Sequence, residues 1–263
     1  MKFRPCIDIH NGKVKQIVGG SLTDRGNQAT ENFVSDLDAA WYASKYKNDG
    51  LTGGHIILLN PESAEYYAAD VAQAMAALKA YPGGLQIGGG IHPGNAMSFL
   101  EAGASHVIVT SYVFKDGSIH FDNLENLCRV VGRNHLVLDV SCRRKGDDYY
   151  IVTDRWQKFT SVKMNLETLE RLAPYCDEFL IHAVDVEGRA SGIEKPLAAL
   201  LGSFQARPVT YAGGVASFED LRILKELGMN WVDVTIGSAL DLFGGPVAYD
   251  RVKNLGADDE VAL

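Results

Sequence analysis

Leu85–His92 (LQIGGGIH) and Val209–Ala216 (VTYAGGVA) are the stretches on which the fold turns. Each reads as a short apolar strand that runs into glycines and then into a helix. A second strand follows each: His106–Ser111 (HVIVTS) and Trp231–Ser238 (WVDVTIGS). Gly89 and Gly213 stand 124 positions apart, and Ser111 and Gly237 stand 126 apart. A strand–glycine–helix–strand unit repeated at half the chain length predicts two similar halves, each with an anion-binding corner.

Outward from these stretches the same rhythm continues. Phe3–Ile9 alternates, with Cys6 and Asp8 on one face and Ile7 and Ile9 on the other. His55–Leu59 is a continuous apolar run, as expected of a strand covered on both sides. Helical patterns are read at 35–47, 65–81, 95–102, 122–131, 166–175, 197–201 and 218–227, with a short last helix at 248–255. Strands fall between them at 107–109, 136–140, 178–182, 208–211 and 232–236. The polar segment from His10 to about Asn32, interrupted by the strand-like Val14–Val18, is long for a loop, which points to function. At Arg143–Thr160 the rhythm breaks: Lys145-Gly146-Asp147-Asp148 signals a turn before the alternating Tyr149–Thr153, read as an inserted hairpin.

Eight strand signals, nearly all followed by helices, predict a (β/α)8 TIM barrel. It has two similar half-barrels, a hairpin inserted after strand five, and a single catalytic domain over 1–263. The alternative is an open doubly wound sheet, but no GxGxxG opens the first helix.

Composition narrows the partners. With 263 residues, 46% hydrophobic and 22% charged, the chain suits a globular domain with a full core. A net charge of −8 argues against nucleic acid or an anionic membrane as partner. Cys6, Cys128, Cys142 and Cys176 have no metal-ligand spacing and read as reduced thiols. No apolar run reaches membrane-spanning length and no signal peptide is seen. The expected compartment is the cytoplasm, or a plastid if a transit peptide has been removed.

The active site of such a barrel lies at the carboxyl ends of its strands. Asp8 ends strand one and Asp139 ends strand five, and alternation turns both inward. Strands one and five of eight face each other, so two opposed carboxylates can act as general acid and general base on one substrate. Gly213-Gly214 with Gly237-Ser238 forms one expected phosphate cradle, and Gly89-Gly90 with Thr110-Ser111 the other. A substrate with a phosphate at each end follows. The candidate accessory residues are His55, Trp156, His182 and Asp185. His55 opens a strand, where a core role takes precedence over a catalytic one, and Trp156 reads as stacking on a flat substrate ring or as core of the hairpin. The Arg143-Arg144-Lys145 run, most simply a solvated turn, overhangs the mouth where an anion would enter.

The start Pro5-Cys6-Ile7-Asp8-Ile9 with Gly12-Lys13-Val14, the Gln86–Ile91 glycine stretch, Leu138-Asp139-Val140, Ile181–Gly188 (IHAVDVEG) and Ala212-Gly213-Gly214-Val215 together resemble one family. It is the ProFAR isomerase family of histidine biosynthesis (phosphoribosylformimino-aminoimidazole carboxamide ribotide isomerase), in its eukaryotic branch. The resemblance implies an Amadori rearrangement of a bisphosphate, an aldose–ketose isomerisation without metal or organic cofactor. It also implies that Asp8 is the base at C2 and Asp139 the acid that opens the ring. Two departures stand out. Ala183 follows the strand-six histidine where many bacterial members have threonine, leaving Asp185 or Ser191 as stand-ins. Leu58 and Asn60 occupy positions of bacterial strand-two aspartates. A monomer is expected, since both cradles belong to one barrel. The rival readings are the cyclase subunit of imidazole glycerol phosphate synthase, which is expected to lack a Trp156 hairpin, and a non-catalytic phosphometabolite-binding barrel.

Overall fold

A computed structural model describes residues 1–18, 21–22, 28–153, 156 and 158–256. Eight parallel strands make the frame: β1 (Cys6–His10), β2 (Gly54–Leu58), β3 (Leu85–Gly88), β4 (Val107–Val109), β5 (Leu136–Asp139), β6 (Glu178–His182), β7 (Val209–Ala212) and β8 (Asp233–Thr235). Each pairs with the next in chain order, from Cys6↔His55 to Tyr211↔Val234. The ends then meet. Phe3 bridges Val234 in parallel, Arg4 N–H donates to Val234 O at 2.8 Å, and Val234 N–H donates to Lys2 O at 2.9 Å. The fold is the expected (β/α)8 barrel.

The connecting helices are α1 (Ala39–Asn48), α2 (Tyr67–Ala80), α3 (Ala96–Glu101), α4 (Phe121–Val131), α5 (Leu166–Leu172), α6 (Lys195–Gly202), α7 (Phe218–Leu227) and α8 (Tyr249–Val252). Their starts are chemical. Asp38, Asn165 and Ser217 each accept the backbone N–H three residues on, each cap contributing about 1 kcal/mol. Asp38 also explains why α1 begins later than the apolar pattern at Ser35 suggests.

Alternation sorts the strand side chains into two cores. Ile7, Ile9, Ile56, Leu58, Leu138, Phe179 and Ile181 point out and are buried in the core that includes the helices' apolar faces. Ile108, Val137, Leu180 and Ala212, with Ile57 against them, form a separate apolar plug inside the ring. Below this plug lies a polar floor. Glu178 accepts from Gln86 Nε2 at 3.1 Å and from Thr210 Oγ1 at 2.9 Å. Arg4 meets Asp233 at 2.9 Å and Glu178 at 3.5 Å.

Two segments differ from the sequence reading. The insertion after β5 is a three-stranded antiparallel sheet, Cys142–Lys145, Asp148–Thr153 and Lys158–Lys163, and not a two-stranded hairpin. Its third strand (KFTSVK) is mostly exposed and polar, so it carries little apolar alternation. The long first loop is largely a hairpin: Lys13–Ile17 folds back on β1, and Glu31–Val34 pairs with Lys13–Ile17 in turn. Residues 19–20 and 23–27 of that loop, and 154, 155 and 157 of the insertion, lie outside the described residues. Among the described residues no helix is long and apolar enough to cross a membrane.

Arg4→Ala removes the cation of the floor and leaves Glu178 and Asp233 buried beside each other. Urea unfolding is expected to show a loss of about 3 kcal/mol, the usual cost of breaking one side of a buried ion pair.

Candidate functional site

Above the apolar plug, at the carboxyl ends of the strands, is a cavity of about 320 Å³. Thirteen of the fourteen residues nominated from sequence line it. They are Asp8, His55, Gly89, Gly90, Thr110, Ser111, Asp139, Trp156, His182, Gly213, Gly214, Gly237 and Ser238. The fourteenth, Asp185, does not. Its carboxylate accepts from Arg143 Nε and from the backbone N–H of Arg144, both at 2.8 Å. Asp185 therefore ties the inserted sheet to the loop after β6. The same pairing occupies part of the Arg143-Arg144-Lys145 run that composition alone leaves free for an anion.

The two glycine corners are conformational copies. Gly89 and Gly213 have φ of 101° and 118°, and Gly90 and Gly214 have 68° and 76°. These are left-handed values that side-chain-bearing residues avoid, so the half-chain repeat extends to the backbone. At the second corner Ser217 Oγ accepts from Asp220 N–H, and Asp220 Oδ2 accepts from Ala216 N–H at 3.0 Å, which ties the loop to the start of α7. The Gly213-Gly214 and Gly237-Ser238 loops face the cavity. Gly237 has a second reason to be glycine. A Cβ there would lie 2.1 Å from Gln16 Oε1, so its absence lets Gln16 cross toward Asp8.

Asp8 accepts from Gln16 Nε2 at 3.1 Å. Burial, then the nearby Glu187 carboxylate, push its pKa up to about 7, while His182 and the Gln16 hydrogen bond pull the other way. Across the cavity, Asp139 Oδ1 accepts from Ser141 Oγ at 2.9 Å and pairs with His182 Nδ1 at 3.1 Å. Burial disfavours the imidazolium of His182, but Asp139, Glu187 and Asp8 together raise its pKa to about 9. His182 is thus cationic at neutral pH, held by Asp139. His55, 6.2 Å from the His182 ring, goes the opposite way. Burial and the His182 charge push it down to about 3, so it is neutral.

Trp156 reaches in from the inserted sheet. Its indole N–H donates to Ser141 Oγ at 3.0 Å, and its ring centroid is 5.7 Å from that of His182. Among the lining residues that the sequence reading did not nominate, Gln16, Ser141 and Glu187 meet the two aspartates. Glu187 Oε2 is buried with no hydrogen-bond partner among the described residues, and burial pushes the carboxyl up from its ordinary value. Glu187 sits in a loop, where no periodicity marks a side chain as inward. Ser141 was legible as inward from β5 alternation but carried no charge to draw notice. Among the described residues no group of three His, Cys, Asp or Glu is placed to hold a metal ion.

A model of the family described as histidine biosynthesis protein matches residues 2–245. The chain belongs to this family. Curated relatives agree over nearly the full length. A Medicago truncatula protein is 54% identical over 256 residues, covering 96% of this chain and 80% of its own. It is named 1-(5-phosphoribosyl)-5-((5-phosphoribosylamino)methylideneamino) imidazole-4-carboxamide isomerase and described as chloroplastic. Proteins with the same isomerase name from Neurospora crassa and Saccharomyces cerevisiae are 45% and 41% identical, each covering 93% of both chains. The barrel is therefore the fold of this histidine biosynthesis family as it stands in this chain.

The raised pKa of Asp8 has a stability consequence. Folded Asp8 keeps a proton that the unfolded chain releases from about pH 4 upward, so its destabilising contribution grows from about pH 4 to about pH 7 and levels off above that. Asp8→Asn removes that cost. Thermal melts are expected to show the variant gaining on the wild type between pH 5 and pH 8; a constant difference would mean Asp8 titrates normally.

Proposed function

We propose that the chain catalyses the isomerisation named for its relatives, an Amadori rearrangement of an aminoaldose to an aminoketose in histidine biosynthesis. The observation that carries this reading is the pair of carboxylates facing one cavity whose rim bears two matching glycine corners. The substrate is a bisphosphate, with one phosphate at Gly89-Gly90 and Thr110-Ser111 and the other at Gly213-Gly214 and Gly237-Ser238. Backbone amides in left-handed glycine turns suit phosphate oxygens without a dedicated cation. The distance between the corners then holds the reacting sugar between Asp8 and Asp139.

Ring opening needs a proton on the ring oxygen, and isomerisation needs the C2 proton removed. Asp139 relays the first, taking a proton from the His182 imidazolium paired with it as it gives one to the ring oxygen. Asp8 takes the second. A base is most effective when its pKa is near the working pH, and an Asp8 held near 7 by burial and Glu187 meets that condition. The atoms balance: one proton is delivered to the ring oxygen and one leaves C2, then one is added at C1 as the C2 hydroxyl proton leaves to complete the ketose. No redox partner enters. The whole chain acts as one catalytic domain and as a monomer, in the cytoplasm or in a plastid.

The purified protein, with chelator and without ammonia, is expected to convert ProFAR to its ketose isomer. Consumption of the ketose only when ammonia is added would make the chain the cyclase instead; silence in both would favour the binding barrel. Asp8→Asn and Asp139→Asn are each expected to lower kcat by about 10³-fold or more with little change in substrate affinity. Near wild-type turnover in either removes the role given to that residue.

The pH profile is a separate check. Turnover requires Asp8 ionised and His182 protonated, so kcat/KM should rise to a plateau above about 7 and fall above about 9. Glu187→Gln removes a carboxylate that opposes Asp8 ionisation, so the acid limb should move to lower pH. An unmoved limb would show that Glu187 does not set the base.

A further inference from the structure

Ser141 occupies an unusual position for a neutral side chain. It follows Asp139 by two residues, so alternation turns both to the inside of the barrel, and it is completely buried. Its single hydroxyl proton goes to Asp139 Oδ1 at 2.9 Å, and its oxygen accepts the Trp156 indole N–H at 3.0 Å. The two bonds have one direction: indole to serine, serine to carboxylate. A serine has one donor and room for acceptors, so accepting from Trp156 leaves its proton aimed at Asp139.

This arrangement bears on the carboxylate's geometry. Asp139 Oδ1 meets both Ser141 and His182 Nδ1, whereas Oδ2 accepts no hydrogen bond among the described residues. With Oδ1 taken by two donors, the carboxylate plane is fixed and Oδ2 is left to carry the proton exchanged with substrate. Trp156 in turn sits at a φ of 68°, in the left-handed region that a bulky residue leaves unless its surroundings hold it there. The contacts that hold it are the Ser141 hydroxyl and the His182 ring at 5.7 Å. The sheet carrying Trp156 is itself docked by Asp185 on Arg143 and Arg144 and by Val184 N–H donating to Cys142 O at 3.1 Å.

We propose that Ser141 is a positioning residue that transmits the docked position of Trp156 to the orientation of the Asp139 carboxylate. The inserted sheet then does more than cover the mouth: its tryptophan, through one hydroxyl, aligns the acid at the end of β5, on its own side of the cavity. The inference rests on the isomerase reading for its kinetic part, and on geometry alone for its spectroscopic part.

The test compares the full-length wild type, Ser141→Ala, Trp156→Phe and the double variant. Ser141→Ala removes one oxygen and leaves the fold's packing otherwise intact. Its kcat is expected to fall by about tenfold or more with KM within about threefold, because alignment rather than binding is lost. In the Ser141→Ala background, Trp156→Phe should cost kcat at least about threefold less than in the wild type, since the connecting hydroxyl is already gone. The chain has three tryptophans, Trp41, Trp156 and Trp231. The indole N–H resonance that disappears in Trp156→Phe should shift, and exchange faster with solvent, in Ser141→Ala. Wild-type kcat in Ser141→Ala, equal costs of Trp156→Phe in both backgrounds, or an unmoved resonance each overturns the proposal. A wild type without isomerase activity removes the isomerase reading, and the resonance then decides the Ser141 contact by itself.

Discussion

Ring closure is the constraint on which the rest depends. Eight parallel strands leave two edges of unpaired backbone, and the Phe3–Val234 bridge with its two flanking hydrogen bonds joins them. Closure turns half the strand side chains inward, where only a filled interior is stable. The chain fills it from below with Arg4, Gln86, Glu178, Thr210 and Asp233, and in the middle with Ile57, Ile108, Val137, Leu180 and Ala212. What remains at the top is a polar cavity with a dry base. That base is why the Asp8 carboxyl is held above its ordinary value, whereas at His182 the surrounding carboxylates outweigh the same desolvation and favour the imidazolium.

The top of the ring carries an imbalance that the rest of the molecule tolerates. Asp8, Asp139 and Glu187 converge on one imidazolium, His182, so not all three can be comfortably ionised together. Burial and mutual repulsion push Asp8 and Glu187 up, and Gln16 offers Asp8 a neutral hydrogen bond instead of a second cation. A stability-optimised site would place an arginine or an apolar side chain there. A site for moving protons at neutral pH benefits from carboxyl groups that hold and release them readily. The polar floor shows the contrast within the same barrel, because there Arg4 answers its carboxylates directly.

Much of this was legible before the structure, for identifiable physical reasons. A parallel strand covered on both sides must be apolar throughout, so HIILL announced β2, and alternation aimed Asp8 and Asp139 inward without any contact being known. The glycine corners were legible because only glycine adopts the φ values at 89, 90, 213 and 214 at low cost. The reading ran short where neither periodicity nor steric necessity operates. Glu187 lies in a loop; Glu31–Val34 and Lys158–Lys163 are short, exposed strands with polar faces. Asp185 shows the converse limit. Its sequence position beside His182 suggested chemistry, but the inserted sheet brings Arg143 to it, and no local pattern encodes that distant pairing.

The two halves are alike at their glycine corners yet unlike above them, and the difference has a direction. Symmetric corners would hold a bisphosphate equally well either way round. The inserted sheet after β5 breaks that equivalence by placing Trp156, and through it Ser141, on the Asp139 side. On the Asp8 side the partners are Gln16, from the hairpin after β1, and Glu187, from the loop after β6. The wall bearing Asp139 is thus built around a charged, hydrogen-bonded pair, and the wall bearing Asp8 around a desolvated carboxyl with a neutral partner. Two aspartates at equivalent positions of a repeated unit are thus given different partners by their surroundings: His182 and Ser141 at Asp139, Gln16 and Glu187 at Asp8. In the proposed reaction that asymmetry decides which carboxyl opens the ring and which takes the C2 proton.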